Sequence, residues 1–394
     1  FQGRANMTPT GVSQIVEQIV NTIFSLVCAA LLIKFSIRAG VAGATVGTTL
    51  GALVACIYLI IKYEKTKKFR IPKGLDLSKV KRLSNKSLFR KLLTYGIPIT
   101  LSVGLQQGGN FVDSMIAVDR LMEGGYSKKL AKEMYGTIGQ TNSLINVPIA
   151  IVSALSAAVL PAISAAMAIG DRKTAQEKIN QAMKLCFIVV IPSTIGLAVL
   201  SKPIYGMLFP SAIQGAKLMK LACIIVILMS LVQIQTTILQ GLGKMHIATA
   251  SMFAGIVAKI ITSYSLMAIP SINQFGSVAG NIMCFAVPLA INYYFIKNNT
   301  RFKLPVLRYS IKPLMSAVAM GLLAFIVYKP FDIFISENAS RIAYVLPTII
   351  SMLVAVFIYA YVMIYLGGIT KNDINSISPK AMKIIPGFMK SRMK

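Results

Sequence analysis

Ten long runs of apolar residues constrain this chain more than any other feature. About 20 mainly apolar residues are needed to cross the ~30 Å hydrocarbon core of a bilayer as a helix. The runs are 12–33, 41–61, 95–118, 135–168, 185–200, 218–240, 248–268, 275–296, 314–328 and 343–367. No segment between them is long enough for a soluble catalytic domain. The sequence therefore predicts an all-α integral membrane protein, a polytopic bundle of about ten transmembrane helices.

The basic residues lie mostly between these runs. The formal net charge of +29 would indicate a nucleic-acid partner in a soluble protein, but Lys and Arg beside transmembrane helices instead set orientation. With residue 1 in the cytoplasm, the loops and tail on that side carry most of the 41 Lys and Arg residues. We therefore expect a multi-pass protein of the cytoplasmic membrane, with both ends of this chain inside. We expect anionic lipids, and no nucleic acid, to contact its basic rims.

The opening stretch of the chain returns later. Residues 1–21 read FQGRANMTPTGVSQIVEQIVN, and residues 239–259 read LQGLGKMHIATASMFAGIVAK. The shared residues are Gln2, Gly3, Met7 and Ser13, which recur as Gln240, Gly241, Met245 and Ser251. Each copy continues into a helix of small residues, GATVGTT from Gly43 and GSVAGNI from Gly276. This pattern predicts one unit used twice in the same direction, and so two pseudo-symmetric lobes.

Polar side chains at membrane depth normally face a cavity or a partner. Asp113 lies deep in the third run, and Gln106 and Asn110 share its helical face. Two interpretations stay open for Asp113: it lines a transport cavity, or it belongs to a structural hydrogen-bonded site.

Further polar candidates lie on three other runs. Near the start of the fourth run are Gln140, Asn142 and Asn146, which we expect to face Asp113. In the first run, Glu17 and Gln18 belong to a polar stripe, and Glu17 is either functional or a solvated residue at the interface.

The repeat relates Asn21 to Lys259 and Glu17 to Gly255. Lys259 is therefore a charge at a position where the other copy has an amide. It either lines the cavity or extends its ammonium to the membrane surface.

Motifs for catalysis are missing from the sequence. It has no Walker loop, HExxH motif, nucleophile elbow or pair of carboxylates at reaction spacing. All five cysteines lie in apolar runs without metal-binding spacing. We therefore predict that the protein is not an enzyme and holds no cofactor. A coupling cation bound at Asp113 is an open possibility.

The opening motif resembles that of the MOP flippase superfamily, in particular its stage V sporulation protein B, polysaccharide-transporter and lipid II flippase-like branch. The matching residues are Gln2, Gly3, Met7, Pro9, Thr10, Ser13, Gln14, Glu17 and Gln18. GATVGTTLG, the basic linker, YGIPIT at 95–100 and LQGLGK at 239–244 follow in the order that the family has. The resemblance covers essentially the whole chain.

The resemblance implies a MOP/MATE-like fold of roughly fourteen helices, of which this amino-terminally truncated chain supplies the last ten. It implies two helices of the first lobe in 1–62, a basic cytoplasmic linker in 63–94 and a six-helix second lobe in 95–297. Two trailing helices in 298–367 and a basic cytoplasmic tail in 368–394 complete the division. Related lipid II flippases carry cavity arginines partly on the eighth span, but the corresponding run 135–168 has none.

A membrane flippase is the function that these observations predict. It would move a lipid-linked oligosaccharide or cell-wall precursor across the membrane by alternating access, as a monomer, in polysaccharide or peptidoglycan export or in sporulation. The alternative of the same fold is an ion-gradient-driven multidrug or small-molecule exporter. A membrane polymerase would need a larger outer loop than the chain has, whereas a scaffold without transport activity stays open.

Overall fold

Twelve α-helices account for most of the regular structure in the residues that the computed structural model describes. These residues are Phe1, 8–66, 84–300, 302–334 and 341–369, without the side chains of a few of them, including Gln106. The helices are α1 (Thr8–Leu32), α2 (Ile37–Thr66), α3 (Asn85–Glu123), α4 (Lys128–Ala168), α5 (Arg172–Val199), α6 (Ser201–Leu208), α7 (Gly215–Ala222), α8 (Ile224–Gly241), α9 (Met245–Met267), α10 (Phe275–Phe295), α11 (Val306–Phe334) and α12 (Arg341–Tyr365). Residues 2–7 of the opening motif, residues 67–83 of the basic linker and residues 370–394 of the tail lie outside the described residues.

Nine helical segments in the described part of the chain are long and apolar enough to cross a membrane. In this set α7 and α8 together form one segment, Gly215–Gly241. The predicted all-α polytopic membrane fold is confirmed. The third predicted run falls within α3, which has 39 residues but is not among the nine, because its amides, glycines and acids lower its mean hydropathy. A membrane span at α3 therefore stays a prediction.

Capping side chains and a glycine turn determine several helix ends that lie beyond the apolar runs. Ser127 caps α4, since its hydroxyl accepts a hydrogen bond from the Leu130 amide. Asp171 caps α5 and accepts hydrogen bonds from the hydroxyl and the amide of Thr174, at 2.6 and 3.0 Å. These bonds lower the pKa of the Asp171 carboxyl below its usual value. Gly170, with φ +75°, supplies the left-handed turn between α4 and α5.

The chain divides into two compact units, residues 1–88 and 89–394. The first contains the α1–α2 hairpin. In the second, α4 packs against α5 and α8, while α11 and α12 form a pair that α5 contacts. The domain boundaries expected from the sequence stay a prediction.

The short helix α6 and the start of α7 occupy residues 201–217, which lie between two of the predicted apolar runs. Tyr205 on α6 is fully buried, and its hydroxyl lies 2.6 Å from the hydroxyl of Thr141 on α4. A buried tyrosine needs a polar partner, and this contact holds α6 against α4. The reason for the helix is therefore tertiary, which explains why the local pattern did not indicate it.

The α1–α2 hairpin is closed by glycines of α2 that contact the backbone or side chains of α1. A methyl group at Gly43 or at Gly51 would lie 2.7 Å from a carbonyl oxygen of α1. The three contact pairs are Gly43 with Cys28, Gly47 with Ser25, and Gly51 with Glu17. Small residues let two membrane helices approach this closely.

The α9–α10 hairpin repeats these contacts at the corresponding positions. The pairs are Gly276 with Met267 and Leu266, Gly280 with Ser263, and Gly255 with Cys284. In the third pair the glycine has moved to the other helix, but the contact is the same. The first turns agree as well, since Ser13 donates to the Thr10 carbonyl at 2.8 Å and Ser251 donates to the Ala248 carbonyl at 3.0 Å. The contacts of both hairpins thus support the predicted repeat, in the predicted alignment.

Candidate functional site

A buried ion pair joins α3 to α9. The ammonium nitrogen Nζ of Lys259 lies 2.9 Å from Oδ2 of Asp113. The two side chains are 0% and 3% exposed, respectively. A single charge at this depth would be very unfavourable, and the pairing removes the net charge.

Lys259 has two more hydrogen-bond acceptors. Its Nζ donates to the main-chain oxygen of Gly109 on α3 and to Oδ1 of Asn281 on α10, each at 2.6 Å. An ammonium group has three N–H donors, so all three are used. The oxygen atoms therefore surround the charge from two neighbouring helices, α3 and α10.

Small residues allow these helices to come close enough for the site to form. A methyl group at Gly109 would lie 3.4 Å from the Lys259 ammonium nitrogen, and one at Gly108 would lie 3.0 Å from the Ile256 side chain. Gly280, which directly precedes Asn281, contacts the Ser263 hydroxyl on α9. The glycines therefore determine where the charged and amide groups meet.

Part of the site has unused hydrogen-bonding capacity. The hydroxyl of Ser263 is buried and has no hydrogen-bond partner in the described structure. Ser277 on α10 lies beside the Asp113 carboxyl. The ion pair is thus surrounded by groups that can rearrange if the helices move.

Asp113 and Lys259 contact each other, and the choice between the two interpretations of Asp113 stays a prediction. Asp113 is buried and contacts α9 rather than the amides of α4, because its carboxylate is the counter-charge of the Lys259 ammonium. The open alternative in which the Lys259 ammonium reaches the membrane surface is wrong, since this residue is fully buried.

Among the remaining polar candidates of the second unit, one hydrogen bond joins α3 to α4. The Asn142 side-chain amide donates to Oδ1 of the exposed Asn110 at 3.3 Å. Asn146 is exposed, and Gln140 is half-buried with a side-chain oxygen that has no partner in the described structure. The side chain of Gln106 lies outside the described residues. Of the predicted cluster, the described structure shows the contact between Asn142 and Asn110, and the role of these amides stays a prediction.

Glu17 and Gln18 belong to the first unit, where Glu17 is half-buried and Gln18 is exposed. Glu17 lines an open cleft of about 480 Å³ on the α1–α2 hairpin, together with Ser13, Cys56, Tyr63 and other mainly apolar residues. Asn21, the counterpart of Lys259, accepts a hydrogen bond from the Ser25 hydroxyl at 2.9 Å. This hairpin therefore has an amide and no charge at the position of the ion pair.

Sequence reasoning missed Asn281 and the main-chain oxygen of Gly109. Asn281 offered a signal, because it is an amide within an apolar helix and directly follows a glycine of the repeat. Among the described residues, no group of three or more His, Cys, Asp or Glu side chains is placed to hold a metal ion.

One family model and three known proteins are similar to this chain. A family model described as Lipid II flippase MurJ matches residues 9–346. Lipid II flippase MurJ of Bacillus subtilis (strain 168) is 26% identical over 383 residues, which cover 94% of this chain and 69% of that protein. The uncharacterized membrane protein YabM of the same organism is also 26% identical, over 96% of this chain and 70% of its own length.

A third relative matches only part of the chain. Stage V sporulation protein B of Bacillus subtilis (strain 168) is 24% identical over 189 residues, or 48% of this chain and 36% of that protein. The resemblance to the MOP superfamily is thereby confirmed. Because the family model spans most of the described helices, the chain belongs to the lipid II flippase MurJ family.

Proposed function

We propose that this protein moves a lipid-linked cell-wall precursor from the inner to the outer leaflet of the cytoplasmic membrane. The match of the lipid II flippase model to residues 9–346 is the observation that carries the proposal. A headgroup bearing pyrophosphate and sugar cannot cross bare hydrocarbon, so it needs a polar path through the protein. No specific observation favours the small-molecule exporter.

Alternating access is the mechanism that we propose. Transporters built from parallel repeats expose a midplane site first to one side and then to the other. In this protein, the amides of Asn110, Asn142, Gln140 and Asn146 would contact the headgroup as it passes between α3 and α4. Glu17 and Gln18 would contact the headgroup from the first lobe, and Gln106 would be a further contact on α3.

The buried ion pair has a different role in this proposal. Asp113 and Lys259 hold α3 against α9 and so keep the amide-bearing face of α3 directed towards α4. Asn110 lies about one turn from Asp113 on the same helix. Asp113 and Lys259 are therefore positioning residues in the state that the structure describes.

The positive-inside rule supports an orientation with both ends of this chain in the cytoplasm. Basic loops on that side would concentrate the anionic precursor and contact anionic lipids of the inner leaflet. The protein would act as a monomer.

The proposal is tested by the leaflet in which the precursor accumulates when the full-length protein is depleted from cells. An added enzyme that cleaves the headgroup from outside measures the outer-leaflet share. We expect this share to fall and the total precursor to rise. An unchanged outer-leaflet share, in cells that have no second flippase for the precursor, would show that the proposed function is wrong.

Variants of the full-length protein test the proposed path. Asn110→Ala and Asn142→Ala should lower the outer-leaflet share at equal protein level. Ser143→Ala is the matched control, since Ser143 is exposed next to Asn142 and its hydroxyl bonds only its own helix, at the Gly139 carbonyl. If all three variants behave alike, the amides do not contact the substrate.

A further inference from the structure

The Lys259 ammonium occupies a cage of oxygen atoms. A carboxylate oxygen of Asp113, an amide oxygen of Asn281 and the main-chain oxygen of Gly109 lie 2.6–2.9 Å from Nζ. Carboxylate, amide and main-chain oxygens are also the ligands that hard metal cations take in proteins. The surroundings of Nζ therefore resemble a cation-binding site whose cation is covalently attached to α9.

Charge balance indicates which cation such a cage would suit. Asp113 is the only acidic side chain that the structure places against the ammonium, and the other two ligands are neutral. One carboxylate neutralises one positive charge, whereas a divalent ion would leave a charge uncompensated in apolar surroundings. The cage therefore fits a monovalent cation.

The repeat shows that the ammonium is an addition to a shared scaffold. In the α1–α2 hairpin the position of Lys259 is taken by Asn21, and the position of Asn281 is taken by Thr48, whose hydroxyl bonds the Thr45 carbonyl of its own helix. The glycine contacts that close both hairpins are the same. Packing of the hairpin thus does not require a lysine, which leaves its charge to be explained by the oxygen cage.

We propose that the Lys259 ammonium is the built-in monovalent cation of this lobe and holds α3, α9 and α10 together in place of a sodium or potassium ion. An inorganic cation then has no vacant position at Asp113. The Lys259 side chain would thus take the place of the coupling cation that the sequence analysis left open at Asp113. This inference goes beyond the proposed function and is tested without any transport measurement.

Removal of the side chain should uncover the site. In Lys259→Ala the Asp113 carboxylate and the two neutral oxygens keep their places around a space that an alkali cation can enter. The unfolding temperature of the purified chain in detergent is measured in sodium, potassium, magnesium and choline chloride at matched ionic strength. We expect sodium or potassium to raise the unfolding temperature of Lys259→Ala by several degrees over choline, and radiolabelled sodium to bind stoichiometrically.

The double variant Lys259→Ala/Asp113→Asn is the matched control, because it lacks the carboxylate that balances the cation. It should unfold at the same temperature in all four salts. Equal unfolding temperatures of Lys259→Ala in sodium, potassium and choline would overturn the proposal. Equal sodium stabilisation of the double variant, or stabilisation of Lys259→Ala by magnesium alone, would do so too.

The unaltered chain provides a measurement that does not depend on the folding of a variant. Because its cage is filled, it should show no difference between sodium and choline. A sodium-specific rise in its unfolding temperature that Asp113→Asn abolishes would mean that a free cation binds at Asp113, and the proposal would be wrong.

Discussion

The α1–α2 and α9–α10 hairpins share their packing but differ in their polar groups. In both, three small-residue contacts bring the paired helices together. At the middle of this shared scaffold, Asn21 bonds to a serine of its own helix, whereas Lys259 bonds to groups of α3 and α10. The comparison teaches that two hairpins with the same helix packing can carry different polar groups.

The largest expected difference concerns the two corresponding polar positions. Lys259→Ala leaves the Asp113 carboxylate buried and unpaired, so we expect a loss of about 3–5 kcal/mol in the free energy of unfolding in choline chloride. Asn21→Ala removes one hydrogen bond within a helix and should cost about 0.6 kcal/mol. Denaturant unfolding of the purified chain in detergent measures both.

A double-mutant cycle sharpens this prediction. Lys259→Ala combined with Asp113→Asn should be less destabilising than Lys259→Ala alone, since no unpaired charge remains. If the losses of the Lys259 and Asn21 variants were equal, the ion pair would contribute nothing beyond the shared scaffold.

The second prediction tests the shared glycine contacts. Gly47→Ala and Gly280→Ala should each lose about 1–3 kcal/mol of unfolding free energy, because both introduce a methyl group into a closed contact. At Gly47 the methyl group meets the hydroxyl and also the backbone of Ser25, whereas at Gly280 it meets the Ser263 hydroxyl and the other atoms lie at 3.2 Å or more.

Removal of the serine hydroxyl should therefore have different results in the two hairpins. Ser263→Ala should restore most of the stability lost in Gly280→Ala, whereas Ser25→Ala should not rescue Gly47→Ala. Thermal unfolding of the single and double variants provides the readout. Rescue in both hairpins, or in neither, would contradict the stated difference between a backbone contact and a side-chain contact.

The smallest predicted difference concerns the first turns of α1 and α9. The Ser251 hydroxyl lies 2.7 Å from Oδ1 of the fully buried Asn292 on α10, while Ser13 bonds only its own helix in the described structure. Ser251→Ala should lose about 0.6–1.7 kcal/mol, and Ser13→Ala should stay within about 0.5 kcal/mol of the unaltered chain. Equal losses in chemical unfolding would show that the bond between α9 and α10 adds no stability.

Much of the fold could be predicted from hydrophobicity alone. Each of the ten apolar runs coincides with a helix or, for 218–240, with α7 and α8 together. Their ends were less predictable, since α4 begins at Lys128, well before the run that starts at residue 135. The Ser127 cap sets that end, and capping depends on individual side chains rather than on average hydropathy.

The two charged residues of the candidate site could be predicted from the sequence, but the contacts between its residues could not. The depth of Asp113 and of Lys259 followed from their positions within apolar runs. Their pairing did not, because helical periodicity describes one helix at a time and the two residues are 146 positions apart. The amides of α4 were expected beside Asp113, but Asn142 contacts Asn110 instead.

The sequence by itself determined that the chain forms membrane helices and that a hairpin-forming unit occurs twice. Both follow from the preference of apolar segments for lipid and from small residues at fixed spacings. Only the tertiary structure decided which polar groups meet. A charge in apolar surroundings must find a counter-charge. Which counter-charge it finds depends on which helices the glycines allow to approach closely, and in this protein they are α3, α9 and α10.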